Sequence, residues 1–153
     1  MGVTIPDADA SQLPQIEAIE RACFSVPWTR AQLASQLNGE RHVFLAAVED
    51  GQVLGYVGMM FVLDEGYISN VAVAPEARRR GVGRALIAEL LRRADEKELA
   101  FVTLEVRPSN EAAIALYSAF GFEAVGRRKN YYDKPSEDAL LMTKFRKGAD
   151  SLC

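Results

Sequence analysis

The segment "NVAVAPEARRRGVGRALI", residues 70–87, is the most informative part of the sequence. Its opening "NVAVA" is mostly apolar and predicts a buried strand, which Pro75 ends. Beyond an arginine-rich turn, apolar residues recur at helical spacing at positions 82, 86, 90 and 94, which predicts a long amphipathic helix. A strand, a glycine-containing turn and a helix in this order are typical of an α/β sheet.

The turn places four arginines at the N-terminus of the predicted helix: Arg78, Arg79, Arg80 and Arg84. A helix N-terminus carries partial positive charge, so each basic residue there costs roughly 0.3–1 kcal/mol. A bound anion would reverse that cost, and Gly81 and Gly83 let backbone N–H groups approach it. The turn therefore predicts a phosphate or pyrophosphate cradle, with a solvated basic face as the alternative. A Rossmann fingerprint does not fit, because Leu86 stands where the third glycine belongs, and a P-loop lacks its Gly-Lys-Ser/Thr.

Outward from this segment, the pattern predicts a strand, two helices, three strands, a helix, a strand, a helix and two strands. The first strand is expected near Val3–Pro6, and Asp50-Gly51 predicts a hairpin turn. Tyr131 and Tyr132 are expected in a loop before the last strand. The expected fold is α/β, a mixed central sheet of about seven strands with helices on both faces. We expect one domain over residues 1–147 and a polar tail over 148–153.

Composition excludes several function classes. The 153 residues carry a net charge of -3, which gives no global field for nucleic acid. Two cysteines and one histidine provide no metal-ligand spacing and no disulfide framework. The start has no signal-peptide pattern, and no apolar run is long enough to span a membrane. We expect a cytoplasmic protein without a metal, without direct nucleic-acid contact and without a membrane partner; a monomer is plausible, and the sequence leaves the oligomeric state open.

A second stretch, "LEVRPSNEAAIALYSAFGF" at 104–122, places two ionisable groups in apolar surroundings. Glu105 lies in a predicted strand between Leu104 and Val106, and Tyr117 lies on the helix that follows. Each has an ordinary structural explanation. Glu105 can face solvent because strand residues alternate, and Tyr117 can be a core aromatic with its hydroxyl at the surface.

The arginine-glycine segment resembles the acetyl-CoA-binding motif of the GNAT family of N-acetyltransferases, through Arg78, Gly81 and Gly83. The resemblance spans nearly the whole chain. Within the family, "CFSVPW", "LEVRPSNEAAIALYSAFGF" and "RRKNYY" are similar to the RimI subfamily, which acetylates the N-terminal amine of a ribosomal protein. The resemblance therefore implies acetyl-CoA as co-substrate, no metal, and a protein N-terminus, that of a ribosomal protein, as partner.

The resemblance also implies roles for individual residues. Glu105 would be the base that takes a proton from the substrate amine, and Tyr117 the acid that donates to the departing thiolate. A backbone N–H near Val73 would stabilise the oxyanion. The residues implied to bind acetyl-CoA are Val71, Ala72, Val73, Arg79, Arg80, Gly81, Val82, Gly83, Arg84 and Asn110.

The substrate end is expected at two aromatic segments. Phe24 and Trp28 can form one wall of a peptide groove or a plug over the core, and Tyr131 and Tyr132 can cover the incoming N-terminus. Two alternatives to a protein N-terminal acetyltransferase stay open from the sequence. One is a family member that acts on a small amine or antibiotic, and the other is an acyl-CoA sensor without turnover.

Overall fold

The computed structural model describes residues 2–37 and 39–146. Its helices are α1 (Leu13–Cys23), α2 (Arg30–Ala34), α3 (Val82–Glu96) and α4 (Glu111–Ala119), and short 3-10 turns cover Ala10–Gln12 and Pro75–Ala77. Its strands are β1 (His42–Glu49), β2 (Gln52–Val62), β3 (Glu65–Val73), β4 (Phe101–Val106), β5 (Glu123–Tyr132) and β6 (Glu137–Phe145). The expected polar tail at 148–153 lies outside the described residues.

The strands form one mixed sheet in the order β1-β2-β3-β4-β6-β5. β3 and β4 are parallel, and the other neighbours are antiparallel. Consecutive residues of a strand point to opposite faces of the sheet. Gly55 and Tyr56, which are adjacent in β2, show that helices cover both faces of this sheet. A side chain at Gly55 would meet Leu86 of α3, whereas the Tyr56 hydroxyl bonds to Glu20 of α1. The predicted mixed α/β sheet with helices on both faces is therefore confirmed.

Local sequence explains where the helices begin. Asp9 caps the first 3-10 turn in a capping box with Gln12, and Thr29 makes the same arrangement with Gln32 ahead of α2. The apolar stripe predicted for α3 is buried throughout, and Leu86 and Leu90 are completely covered. α3 packs across β1, β2 and β3 and builds the core beneath the arginine-glycine turn.

Three features differ from the sequence-based expectation. The sheet of the described residues has six strands, because the segment near Val3–Pro6 makes only isolated bridges, from Thr4 to Val48 and from Asp7 to Leu45. The "DEG" stretch at 64–66 also predicts a turn, which is shorter in the structure, since β3 already begins at Glu65. The expected loop around Tyr131 and Tyr132 is wrong, because β5 runs on to Tyr132 past an irregularity after Arg128.

Candidate active site

A cleft opens in the middle of the sheet, between β3 and β4. The two strands pair only from Glu65–Tyr67 to Phe101–Thr103, so the remainder of β3 and the end of β4 separate. Val71–Val73 lie on one side of this cleft and Glu105 on the other. The separation brings a free strand edge to face the candidate base, and an extended ligand can pair with such an edge.

Backbone alternation orients the β3 edge. The Ala74 N–H donates to the Leu54 carbonyl at 2.8 Å, so this pair and Ala72–Tyr56 face each other across β2 and β3. The N–H groups of Val71 and Val73 then point the other way, towards the cleft. The Val73 carbonyl accepts from Cys23 Sγ at 3.4 Å and from Arg78 Nε at 3.3 Å. The Val73 N–H thus points into the cleft, as the predicted oxyanion donor must.

The arginine-glycine turn has the backbone shape of an anion site. Arg79 (φ 67°) and Gly81 (φ 79°) are both left-handed, a conformation in which successive N–H groups can form a concave anion-binding surface. Gly81 is the N-cap of α3 and has no side chain with which to cap the helix, so the first N–H groups of α3 have no intrahelical acceptor. A Cβ at Gly83 would lie 3.5 Å from Leu116 and 3.7 Å from Val73, so α3, α4 and β3 converge there.

The four arginines of the turn have different partners. Arg78 bonds to Val73 and Cys23 and so braces the end of β3. Arg80 pairs with Glu49 at 2.8 Å, which lowers the pKa of that carboxyl through the hydrogen bond. The Arg84 guanidinium lies over the Phe120 ring at 5.7 Å. The uncapped N–H groups and the arginines form a donor set that fits a pyrophosphate, and Arg79 and Arg84 stay predictions as its side-chain cations.

Glu105 is covered rather than solvent-facing. Its side chain is 6 % exposed, and its neighbours Leu104 and Val106 point to the core on the other face of β4. Tyr67 donates to Oε1, Tyr131 donates to the same oxygen at 3.4 Å, and Arg128 Nε lies 2.9 Å from Oε2. Glu105 accordingly sits on the α1 side of the sheet as a water-shielded acceptor at the edge of the cleft.

Tyr117 is a buried phenol without a partner for its hydroxyl within residues 2–37 and 39–146. Its ring packs 5.6 Å from that of Phe122, and burial raises the pKa of the hydroxyl to about 12. Burial, with smaller contributions from Tyr131 and Glu105, also raises the pKa of Tyr132 to about 12. Tyr117 therefore stays a proton donor at every physiological pH.

Asn110 has a structural role that the sequence did not indicate. Its Oδ1 accepts from the Ala113 N–H at 3.1 Å and caps α4, the helix that carries Tyr117. Its amide nitrogen is the atom that can donate to a cofactor. The predicted contact with acetyl-CoA stays a prediction.

The two aromatic segments of the predicted peptide end meet each other. Ser25 Oγ donates to the Lys134 carbonyl at 2.8 Å, which joins the α1–α2 loop to the β5–β6 hairpin. Phe24 is exposed, whereas Trp28 is half-buried against the core. Across from them, Tyr131 and Tyr132 pack edge to face at 5.0 Å, and the Arg107 guanidinium lies 4.4 Å from the Tyr132 ring centre. Both segments thus border one end of the site.

Three residues of the site were missed in the sequence. Tyr67 and Arg128 each bond to the Glu105 carboxylate, and only the pairing of the strands brings them close to it. Glu20 of α1 is 2 % exposed and accepts from Tyr56, Asn70 and the Trp28 N–H. The only available signal for Glu20 was its position beside Ile19 and Ile16 on the buried face of α1, where a charged residue is unusual.

Residues 2–37 and 39–146 lack two features. No group of three or more His, Cys, Asp and Glu side chains is placed to hold a metal ion there. No helix over the same residues has the length and apolar character needed to cross a membrane.

Known proteins are similar to this chain in both sequence and fold. The acetyltransferase (GNAT) family matches residues 13–122. The [ribosomal protein bS18]-alanine N-acetyltransferase of Escherichia coli strain K12 is 37% identical over 141 residues, which cover 91% of this chain and 95% of that protein.

Solved structures agree. The crystal structure of the Escherichia coli ribosomal-protein-S18-alanine N-acetyltransferase superposes with a TM-score of 0.88 at 36% identity, covering 94% of each chain. Arabidopsis thaliana NAA60 in complex with acetyl-CoA superposes with a TM-score of 0.87 at 25% identity, covering 96% of this chain and all of that one. The chain therefore belongs to the GNAT family of acetyltransferases and is an acetyl-CoA-dependent N-acetyltransferase.

Proposed function

We propose that this enzyme acetylates the N-terminal α-amine of a protein, and that its substrate is the N-terminal alanine of a ribosomal protein of the bS18 type. The observation that carries the proposal is the covered Glu105 carboxylate, which faces the Val71–Val73 edge across the open cleft. The name of the Escherichia coli relative supports the choice of substrate. A cytoplasmic location, where ribosomal proteins are made, is part of the proposal.

Binding of acetyl-CoA is assigned to the β3 edge and the turn. The N–H groups of Val71 and Val73 pair with the extended arm, Ala72 holds the strand to β2, and the first N–H groups of α3, over Gly81, Val82, Gly83 and Arg84, face the pyrophosphate. Arg79 and Arg84 add charge-assisted hydrogen bonds. Arg80 acts through its ion pair with Glu49, which fixes the turn to the end of β1. Acetyl-CoA supplies the activated acetyl group, and all other steps fall to side chains and backbone of this chain.

Proton transfer is assigned to two residues. The substrate amine must be neutral to attack, and Glu105 takes its proton directly or through one water. Tyr67 holds the carboxylate in place for this step, and Arg128 pairs with it until the substrate amine arrives. Tyr117 donates a proton to the thiolate as it leaves, and the Val73 N–H stabilises the oxyanion.

An α-amine suits this site better than a lysine side chain. The α-amino pKa is near 7.7–8.0 and that of lysine near 10.4, so neutralising lysine costs roughly 3 kcal/mol more at a given pH. Glu105 has no histidine beside it, since the only histidine of the chain, His42, begins β1. The bond between Ser25 and Lys134 joins the α1–α2 loop to the β5–β6 hairpin at the peptide end of the site. This closed border favours a chain end over an internal side chain.

The test uses the proteins themselves. Purified ribosomal proteins from cells that lack the enzyme are incubated with it and acetyl-CoA, and intact masses are compared with a reaction that contains the Glu105→Gln variant. We expect one protein with an N-terminal alanine to gain one acetyl group with the native enzyme only. No gain in any ribosomal protein, combined with turnover on polyamines or aminoglycosides, would replace the proposal with small-amine acetylation.

A further inference from the structure

Glu20 is a buried carboxylate that the acetyl-transfer chemistry does not use. It lies on the last turns of α1 and is 2 % exposed. Among the described residues no cation pairs with it, and all its side-chain partners are neutral donors. An isolated buried charge is costly unless hydrogen bonds compensate for it, so these partners must compensate for the burial.

Both ends of the α1–α2 loop are fixed to this single residue. The Glu20 backbone carbonyl accepts from the Phe24 N–H at 3.0 Å, where the loop begins. Its side-chain Oε2 accepts from the Trp28 N–H at 2.9 Å, where the loop ends. The intervening residues Ser25, Val26 and Pro27 are all exposed. Glu20 therefore sets the shape of the loop.

The other oxygen of Glu20 connects the loop to the sheet. Oε1 accepts from the Tyr56 hydroxyl of β2 and from Asn70 Nδ2 of β3, the latter at 3.3 Å. Asn70 directly precedes Val71, the first residue of the β3 edge that faces the cleft. Burial and the bond to Glu20 raise the pKa of Tyr56, so its hydroxyl remains a donor.

We propose that Glu20 is a positioning residue, which holds the peptide-binding loop at a fixed distance from the strand that presents the thioester. This rests on the proposed function, because the loop matters only if the substrate is a peptide. Glu20 sets where the substrate N-terminus enters relative to Val71–Val73. The bond between Ser25 and Lys134 extends the same constraint to the opposite wall.

The test compares Glu20→Gln with Glu20→Asp. Glutamine has one acceptor oxygen and an NH₂ group, so it cannot accept from Trp28 on one side and from Tyr56 and Asn70 on the other. We expect the KM for an alanine-initiated peptide to rise about tenfold, the loss of a hydrogen bond to a charged group. The affinity for acetyl-CoA stays unchanged, and aspartate restores part of the peptide KM.

A second readout is spectroscopic. Trp28 is the only tryptophan in the chain, so its emission reports the loop directly. Glu20→Gln should shift the emission to longer wavelength and increase quenching by iodide, while the circular dichroism spectrum stays native. If that variant fails to fold, Tyr56→Phe, which removes a sheet bond and keeps the loop bond, should show the same two changes to a smaller extent.

Ile87→Val, in the fully buried part of α3, is the control for a general loss of stability. If it raises the peptide KM as much as Glu20→Gln does at equal loss of stability, Glu20 is only structural. An unchanged peptide KM in a folded Glu20→Gln variant overturns the inference as well. A native enzyme that acetylates no peptide refutes the proposed function instead, so the two failures can be told apart.

Discussion

Arg128 Nε lies 2.9 Å from Glu105 Oε2, so the candidate base already holds a cation before a substrate arrives. The Glu105 side chain is covered, whereas that of Arg128 is 57% exposed. Because Arg128 is exposed, water can solvate it when it swings away, which keeps the value of this pair at about 1 kcal/mol, the upper end of the range for exposed ion pairs. The positively charged substrate amine can then take its place.

This relationship predicts the effect of replacing Arg128. Arg128→Met removes the competing cation, and the peptide KM should fall by up to about fivefold, the value of such an ion pair. Arg127→Met is the control, since Arg127 pairs with Asp138 at 3.7 Å instead. Initial rates at low salt measure both variants. A higher KM for Arg128→Met alone would mean that Arg128 binds the peptide itself.

Charge removal at the turn should weaken acetyl-CoA binding. Replacing Arg79 and Arg84 by alanine removes two donors to the pyrophosphate, each worth about 10–100-fold in affinity as a charged hydrogen bond. The salt dependence of binding should become flatter, because fewer ionic contacts remain to be screened.

Arg92→Ala is the matched control for these two arginines, as Arg92 lies on α3 and pairs with Glu89 and Glu96. Calorimetry at two salt concentrations compares the double variant and Arg92→Ala with the native enzyme. An unchanged affinity at low salt for the double variant would place the pyrophosphate elsewhere.

Tyr117→Phe should lower kcat by about 10²–10⁴-fold, the usual contribution of a general acid. The affinity for acetyl-CoA should stay within about twofold, because the ring that packs on Phe122 is kept. Single-turnover rates and calorimetry separate the two effects. Native kcat in this variant would leave Tyr117 as a core aromatic.

The alkaline side of the pH–rate profile gives an independent check on Tyr117. Burial raises its pKa to about 12, so the proton-bearing form persists to higher pH and is lost only as the pH rises through that value. We expect kcat to rise with pH as the substrate amine loses its proton and then to stay level through pH 10. A decline centred near the ordinary tyrosine pKa of about 10 would contradict the assignment.

Two glycines should respond differently to alanine. A Cβ on Gly55 would lie 2.7 Å from the Ala72 carbonyl, directly beneath the edge proposed to hold acetyl-CoA, whereas on Gly126 it would make an ordinary contact of 3.5 Å with Leu141. Gly55→Ala should cost about 1–3 kcal/mol of unfolding free energy, as overpacking does, and weaken acetyl-CoA binding. Gly126→Ala should change neither, and urea unfolding with calorimetry compares them. Equal stability of the two variants would refute the close approach of β2 and β3.

Local patterns in the sequence predicted much of the fold. The spacing of Val82, Leu86, Leu90 and Ala94 predicted α3 because a helix repeats its buried face at a known period. The Asp50-Gly51 turn is confirmed for a similar reason, since both residues have positive φ, as the type I′ hairpin requires. The first strand was over-predicted, because whether a short apolar segment pairs along its length depends on its neighbour in space.

The residues around Glu105 could not be predicted locally. Tyr67 is 38 positions away in sequence, and its hydroxyl reaches Glu105 because Tyr67 and Thr103 are paired where β3 and β4 still touch. A loop was expected at Tyr131, but pairing with β6 extends the strand through it. In the sequence, Glu20 is a charged residue on an otherwise apolar helix face. Only the fold brings the three donors that bind it close to its carboxylate.

One measurement tests the central claim most directly. Two peptides of the same sequence are compared, one with a free N-terminal alanine and no lysine, the other with a blocked N-terminus and one lysine. Rates are recorded from pH 6 to 10 with the native enzyme and Glu105→Gln. The account predicts acetylation of the free N-terminus only, a lower rate at pH 7 for Glu105→Gln, and partial recovery as the pH rises and more substrate amine is neutral. Equal activity on the blocked peptide, or an unchanged profile for Glu105→Gln, would contradict it.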